Sequence, residues 1–277
     1  MILETIEVGG CRSYLLGCPK TNVAAVIDPE ISAIERYRGI ASKHGLAIRY
    51  AIDTHTHADH FSAAREIGKT LGAQVVMSHL SAAPFVDLRL NDGDLLIVGD
   101  LRVQAIATPG HTADSTCLLV QDHAFTGDTL LIGGTGRTDL PTGNPDQLYD
   151  SLFNKLLKLD PATQIHPAHE YKGRIGSTIG EEIRSNPRLQ KTERAHFVEM
   201  MRALNMQAPT HLTEALRVNM SGKKSVAQLL AEATASTPFM SMTELSSRLA
   251  ARQNDLIVLD VRERDQFDAG HLPGATF

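Results

Sequence analysis

The chain has 277 residues, 42% of them apolar and 21% charged, a balance typical of a globular protein and a length long for one core but short for two full ones. Its formal net charge of −5, without any Lys/Arg tract, argues against a nucleic-acid groove or an anionic membrane surface as partner. No apolar run approaches the roughly eighteen residues that span a bilayer. The opening MILETIEVGG carries Glu4 and Glu7 where a signal or transit peptide would be basic, so neither is expected.

In chain order, ILETIEV, CRSYLLG and NVAAVIDP read as short strands, the last ending at Asp28-Pro29. Residues 31–45 show helical spacing, with Ile31, Ile34, Tyr37 or Arg38, and Ala41 on one side. IRYAIDT (48–54) is a continuous apolar run, which predicts a strand buried on both faces. ADHFSAAREIGKTLG then reads as a helix capped by Gly72, and QVVMS as another buried strand. Asn91-Asp92-Gly93-Asp94 and Gly99-Asp100 read as the turns of a hairpin region, and STCLLVQDHAFTGD supplies two more strands. Helices dominate from 146 onward, apart from a strand around TQIHP (163–167). A compositional change at 236–242 suggests a linker, followed by a helix in SMTELSSRLAARQ and a buried strand in LIVLDV. Strands with helices between them, and repeated exits from strand to loop, fit two sheets sandwiched by helices.

The chemistry concentrates in THTHADH, residues 54–60. Crowded imidazoles repel one another when protonated, whereas neutral ones around a cation each find a positive partner. In an extended segment residues i and i+2 share a face, so His55 and His57 point to one spot. Asp59 and His60 are expected at the start of the following helix, whose N-terminus favours the carboxylate of Asp59. Three further donors each follow a predicted strand: His111 in ATPGHT, Asp128 in FTGDTL and His169 in IHPAHE. Gly110 is read as leaving the space before His111 free for a metal. The odd number of cysteines, Cys11, Cys18 and Cys117, has no CxxC spacing. They read as small buried hydrophobes in a reduced, cytoplasmic protein, none of them an obvious ligand or nucleophile.

HxHxDH followed by PGHT, GD and PAHE resembles the metallo-β-lactamase superfamily over about residues 1–235. The resemblance implies an α/β fold, the αββα sandwich, with metal at the loop ends. Two branches fit. In glyoxalase II, a dinuclear thioester hydrolase, His55, His57, His111 and Asp128 would hold one ion of zinc or iron, and Asp59, His60, Asp128 and His169 the other. In the persulfide dioxygenases a single Fe(II) per chain would sit on His55, His111 and Asp128, with His57, Asp59, His60 and His169 orienting ligands and bound water around it. TGDTLLIGGTGRTDLP, HPAHEYKG, SNPRL and VNMSG resemble the second branch. It implies oxidation of glutathione persulfide, or another small-thiol persulfide, by O2 to sulfite and free thiol. Arg137, Tyr171 and Arg188 would then hold the anionic carrier, as a planar guanidinium fork and a rigid phenol can. Thr135 and Asp114-Ser115 stand where many relatives have Cys and Gly-Cys, and His166 replaces a bulkier aromatic.

LIVLDVRERDQFDAGHLPGATF resembles the opening of a rhodanese domain. No cysteine follows Cys117, so the persulfide-forming loop of that domain is absent from this stretch. The expected organisation is a metallo-β-lactamase-fold domain at 1–238 and an incomplete rhodanese-like segment at 239–277. A metal- or sulfide-binding regulatory protein without turnover stands as the reading from another class. No membrane or nucleic-acid partner is expected, and homo-oligomer formation stays open.

Overall fold

The computed structural model describes residues 1–204, 212–223, 229, 231, 240–251, 257–261 and 263–277. The chain forms two compact units, Met1–Lys224 and Ser225–Phe277.

The first unit is an αββα sandwich. One six-stranded sheet runs β1 (Ile2–Val8), β2 (Cys11–Cys18), β3 (Val23–Ile27), β4 (Ala47–Ile52), β5 (Gln74–Ser78), β6 (Leu88–Leu90), in that spatial order. The second sheet takes β7 (Leu95–Val98), β8 (Leu101–Ala107), β9 (Thr116–Val120), β10 (His123–Gly127), β13 (Gln164–Pro167) and β14 (Ser177–Thr178). A small ribbon pairs β11 (Leu130–Leu131) with β12 (Gly134–Thr135).

The alternation of side chains assigns each strand's two faces to two cores. On β2, Tyr14 and Leu16 face the inter-sheet core with Ile27, Ile52, Val76, Val103, Leu118 and Phe125. Leu15 faces the other way, into the layer formed by α1 (Ile34–Lys43) and α2 (Ala64–Leu71), against Tyr37 and Ile67. Behind the second sheet, Leu130, Leu148, Ile165 and Phe197 pack with α3 (Pro145–Tyr149), α4 (Ile179–Ser185) and α5 (Arg194–Arg202).

Three expectations need correction. β4 is buried on both faces only at its carboxyl end, Ala51 and Ile52, because Ala47 and Arg49 face solvent near the sheet's lip. The Asn91–Asp94 turn closes no hairpin: β6 pairs with β5 and β7 with β8, so the turn carries the chain from one sheet to the other. The helix after THTHADH starts at Ala64, capped at its end by left-handed Gly72 as expected, and leaves Asp59 and His60 in the preceding loop.

In the second unit, α7 (Met242–Ala250) forms within the expected helix, with the Ser241 hydroxyl accepting from the Glu244 amide. α8 (Arg264–Ala269) follows. The expected buried strand LIVLDV is not formed among the described residues, where Ile257 is 80% and Val261 92% exposed. Leu259 makes only a single bridge to Thr276. The expected linker at 236–242 lies mostly outside the described residues. Among the described residues no helix is long and apolar enough to cross a membrane.

His166 on β13 is half-buried against the rings of Tyr14 and Phe125. Its ring stacks on Phe125 at 5.0 Å and on His123 at 5.1 Å, and its Nε2 lies 2.8 Å from His123 Nδ1. Burial, with the positive charges of His123 and Arg12 nearby, lowers its pKa to about 4. Between pH 6.5 and 4 the unfolded chain therefore takes up a proton that the folded chain refuses. Stability should fall across that window by on the order of 2 kcal/mol. In His166→Phe that part of the fall should vanish, as measured by urea unfolding at pH 7 and pH 4.5. An unchanged pH difference in the variant would exclude His166 as its source.

Candidate metal centre

The site lies where β3, β4, β8, β10 and β13 end on one rim of the sandwich. Asp28 leaves β3 in the left-handed region, at φ 49°, and turns its buried carboxylate under the THTHADH loop. Its Oδ1 accepts from the Thr54 amide at 2.7 Å, and its Oδ2 from the Thr54 hydroxyl at 3.0 Å. With that hydroxyl proton committed, Thr54 Oγ1 accepts from His55 Nδ1–H at 2.9 Å. The chain of bonds fixes the His55 tautomer and leaves Nε2 as a bare lone pair. Burial, with His57 alongside, lowers the His55 pKa well below the usual histidine value and keeps the ring neutral.

His111 is prepared in the same way from the opposite sheet. Its Nδ1–H donates to the Arg137 carbonyl at 2.8 Å, and its Nε2 faces Asp128 Oδ2 at 3.6 Å. His55 Nε2 lies 4.0 Å from the same oxygen. His55, His111 and Asp128 thus present three donor atoms within 4.8 Å of one another. The other oxygen of Asp128, Oδ1, accepts from His169 Nδ1–H at 2.6 Å. Despite burial, His169, His111 and His55 hold the Asp128 carboxyl well below the usual carboxylate range.

A second group adjoins the first through His169. Asp59 Oδ2 lies 2.7 Å from His169 Nε2 and 3.3 Å from His60 Nδ1. Cys11 Sγ stands 3.5 Å from His169 Nε2, 3.7 Å from His60 Nδ1 and 3.8 Å from Asp59 Oδ2. These four residues also place one donor atom each within 4.8 Å of the rest. Burial would raise the Cys11 thiol, yet the hydrogen bonds to His169 and His60 bring it down to about 7. Burial works against a charge on His60 too, but Asp59 and Cys11 lift it to about 10.

Three buried imidazole nitrogens, His55 Nε2, His57 Nδ1 and His60 Nε2, have no hydrogen-bond partner. Orphaned lone pairs in such a cluster are costly unless a cation meets them, so the residues fit a metal. His57 itself turns its Nε2 to Asp28, 3.2 Å away, and groups with Asp28 and Asp53 rather than with His55 and His111.

The loops that carry these groups are pinned by residues that sequence inspection overlooked. Asn219 on α6 (Leu212–Ser221) donates to the carbonyls of His57 and His60 at 2.9 and 2.8 Å, and accepts from the Ser62 amide. Asp114 ties the two sheets' loops together, accepting from Thr56 Oγ1 at 2.6 Å and Thr112 Oγ1 at 2.7 Å. Asp28 and Cys11 complete the set. Asp28 had a signal, since it ends a strand parallel to the one that delivers His55. Cys11 had none, because its nearness to His169 depends on a backbone bridge across 158 residues. Gly110 is required for a different reason from the one expected: a Cβ there would come within 2.3 Å of the Leu148 amide nitrogen on α3.

Of the expected carrier-binding residues, Tyr171 is 72% exposed and stacks on His169 at 5.6 Å. The Arg137 guanidinium forms a two-pronged pair with Asp139, both contacts 2.6 Å. Arg188 donates to the Thr135 carbonyl at 2.6 Å.

The metallo-β-lactamase superfamily model matches residues 6–169. The chain is 39% identical to the human mitochondrial persulfide dioxygenase ETHE1 over 224 residues, covering 79% of this chain and 87% of that protein. The solved structure of ETHE1 from Myxococcus xanthus, 38% identical, superposes with a TM-score of 0.78 over 79% of this chain and 98% of that one. A metallo-β-lactamase from Staphylococcus aureus, 23% identical, shares the fold at a TM-score of 0.76 and covers 99% of this chain and 83% of that one. The sandwich, its rim of imidazoles and these likenesses together place the chain in the metallo-β-lactamase superfamily, among the relatives of the persulfide dioxygenases.

Proposed function

We propose that the chain is an Fe(II)-dependent persulfide dioxygenase acting on glutathione persulfide or a similar small-thiol persulfide. The observation that carries this reading is the grouping of His55, His111 and Asp128 as two imidazoles and one carboxylate, while His57 turns its Nε2 to Asp28. That donor set, with positions left open, is the one non-haem iron oxygenases use. Iron, when bound, supplies the electrons that activate O2, which redox-silent zinc cannot do. The overall change is RSSH + O2 + H2O → RSH + SO3²⁻ + 2 H⁺.

In this reading Thr54 and Arg137 hold the two imidazoles in the tautomer that presents Nε2. His169 engages one oxygen of Asp128 and leaves the other facing His55 and His111. His57, Asp59, His60 and His169 surround that site and orient what binds in it. Tyr171, exposed beside His169, would meet the thiol carrier, whereas Arg137 and Arg188 would have to exchange Asp139 and Thr135 for its carboxylates. Three free cysteines accord with a reduced, cytoplasmic setting. Residues 1–238 would carry the activity, and 239–277 would be an incomplete rhodanese-like appendage.

One observation favours the rival. The unpartnered Nδ1 of buried His57 is a further imidazole donor, as a dinuclear thioester hydrolase would need. Oxygen uptake decides between them. Fe(II)-loaded protein given glutathione persulfide should consume O2 and form sulfite one for one, and should leave S-lactoylglutathione intact. Thioester turnover without oxygen uptake would replace the dioxygenase by the hydrolase. Failure on both substrates with iron bound would leave the non-catalytic reading.

A further inference from the structure

A cavity lies away from the metal donors, at the side of the sandwich where both sheets end. β1 and β14 are the edge strands there, and between them opens a cleft of about 770 Å³. That is the size of a small-molecule site. Neither His169 nor Tyr171 lines it, although the loop that carries them runs on through residues 173–176 to form one wall. A Cβ at Gly173 or Gly176 would meet nothing within 4 Å, so this wall is open rather than packed.

The cleft holds a charge that the fold has taken out of water. Glu7 and Arg12 face each other across the β1–β2 ladder. The Arg12 side chain is 8% exposed, whereas that of Glu7 is 61% exposed. Glu7 Oε1 accepts from Arg12 Nε at 2.8 Å and from Nη2 at 2.7 Å, and the Arg174 carbonyl accepts from Nη2 at 2.7 Å. Those bonds use the N–H of Nε and both of Nη2, and leave the pair on Nη1. Nη1 has no partner among the described residues, yet it is not one of the sealed-off polar atoms, so it opens on the cleft. Glu7 Oε2 is likewise unpaired among the described residues.

A guanidinium edge beside a carboxylate oxygen, both unpaired, is the complement of a zwitterion. The other charged side chains lining the cleft, Arg174 and Glu181, are again one of each sign. A bare oxyanion would meet two carboxylates, and a bare amine two guanidinium groups. A ligand that carries both charges avoids either repulsion. Ile175, fully exposed on the wall, adds apolar surface for a ligand's side chain.

We propose that this cleft binds a free α-amino acid with an apolar side chain, its carboxylate accepting from Arg12 Nη1 and its ammonium donating to Glu7 Oε2. Arg12 also holds the Arg174 carbonyl through its side chain and the Ala168 carbonyl through its amide. The ligand therefore sits on the clip of the loop that presents His169. The proposal does not depend on what the metal donors do.

The test is calorimetric titration of the full chain with L-leucine, which should give one saturable site per chain. Acetate, methylamine and inorganic phosphate should each bind at least about tenfold more weakly, since each lacks one half of the head group. Arg12→Gln and Glu7→Gln should each weaken L-leucine by about tenfold. Glu7 is exposed on an edge strand, so its variant keeps the test alive if circular dichroism shows Arg12→Gln unfolded. His111→Ala should bind L-leucine as the parent does. Absence of leucine binding overturns the proposal, as does phosphate binding as tight as that of leucine. Undiminished affinity in Glu7→Gln, or loss of binding in His111→Ala, overturns it too. Oxygen uptake enters none of these readings, so the dioxygenase reading stands or falls separately.

Discussion

His111→Ala should lower oxygen uptake on glutathione persulfide by roughly 10³-fold or more, the scale expected when a reaction loses the group that organises it. The imidazole supplies one of three donors at the His55–His111–Asp128 position, its Nδ1 being committed to the Arg137 carbonyl. Iron content should fall with activity, measured by metal analysis after desalting, from about one ion per chain to a small fraction of that. The fold should survive, because truncating a single side chain at the rim costs about 1–2 kcal/mol and leaves the inter-sheet core intact. Activity within tenfold of the parent, with iron retained, would mean that the iron sits elsewhere.

Asp28→Ala should be the most destabilising single change at the site. The carboxylate accepts from the Thr54 amide, the Thr54 hydroxyl and His57 Nε2, all buried. Removing it strands those donors at a cost of about 3–5 kcal/mol. Left-handed backbone at φ 49° adds to this, since alanine tolerates that region poorly whereas asparagine accepts it. The melting temperature should drop by about 10 °C in Asp28→Ala and by clearly less in Asp28→Asn, which keeps an acceptor oxygen and the backbone preference. Metal retention should follow the same order, because the Asp28–Thr54–His55 chain sets which nitrogen of His55 is free. Equal melting temperatures for the two variants would show that the buried hydrogen bonds carry little of the loop's stability.

Much of this site was legible because its residues cluster in local strings. THTHADH, PGHT and GD each follow a strand, and a strand's carboxyl end is where a sandwich of this kind exposes its loops. Strand β8, whose buried and exposed positions alternate, was equally readable. What escaped was set by pairing at long range. The Asn91–Asp94 turn has hairpin chemistry, yet its flanking strands belong to different sheets. The residues after His55 have helical composition, but Asn219 and Asp53 bind that stretch as a loop, with the Ser62 hydroxyl donating to the Asp53 carboxylate. LIVLDV has the apolar content of a core strand, and among its described residues the neighbours that would bury it are lacking. Cys11 has the look of a buried hydrophobe until the fold brings His169 beside it.

The passage from one sheet to the other at residues 91–94 divides the first unit into two consecutive halves. Every strand before it lies in the first sheet, and those after it build the second sheet and the small ribbon. Cys11, His55, Asp59 and His60 come from the first half, and His111, Asp128 and His169 from the second. The His55–His111–Asp128 group therefore straddles the seam, whereas Asp28, Asp53 and His57 all lie in the first half. An ion held by His55, His111 and Asp128 would act as a clasp across that seam, and its binding free energy would be added to the docking of one half on the other. Binding there would favour the docked halves without being required for them, and a chelator in such a molecule would lower the stability of the fold as it empties the site.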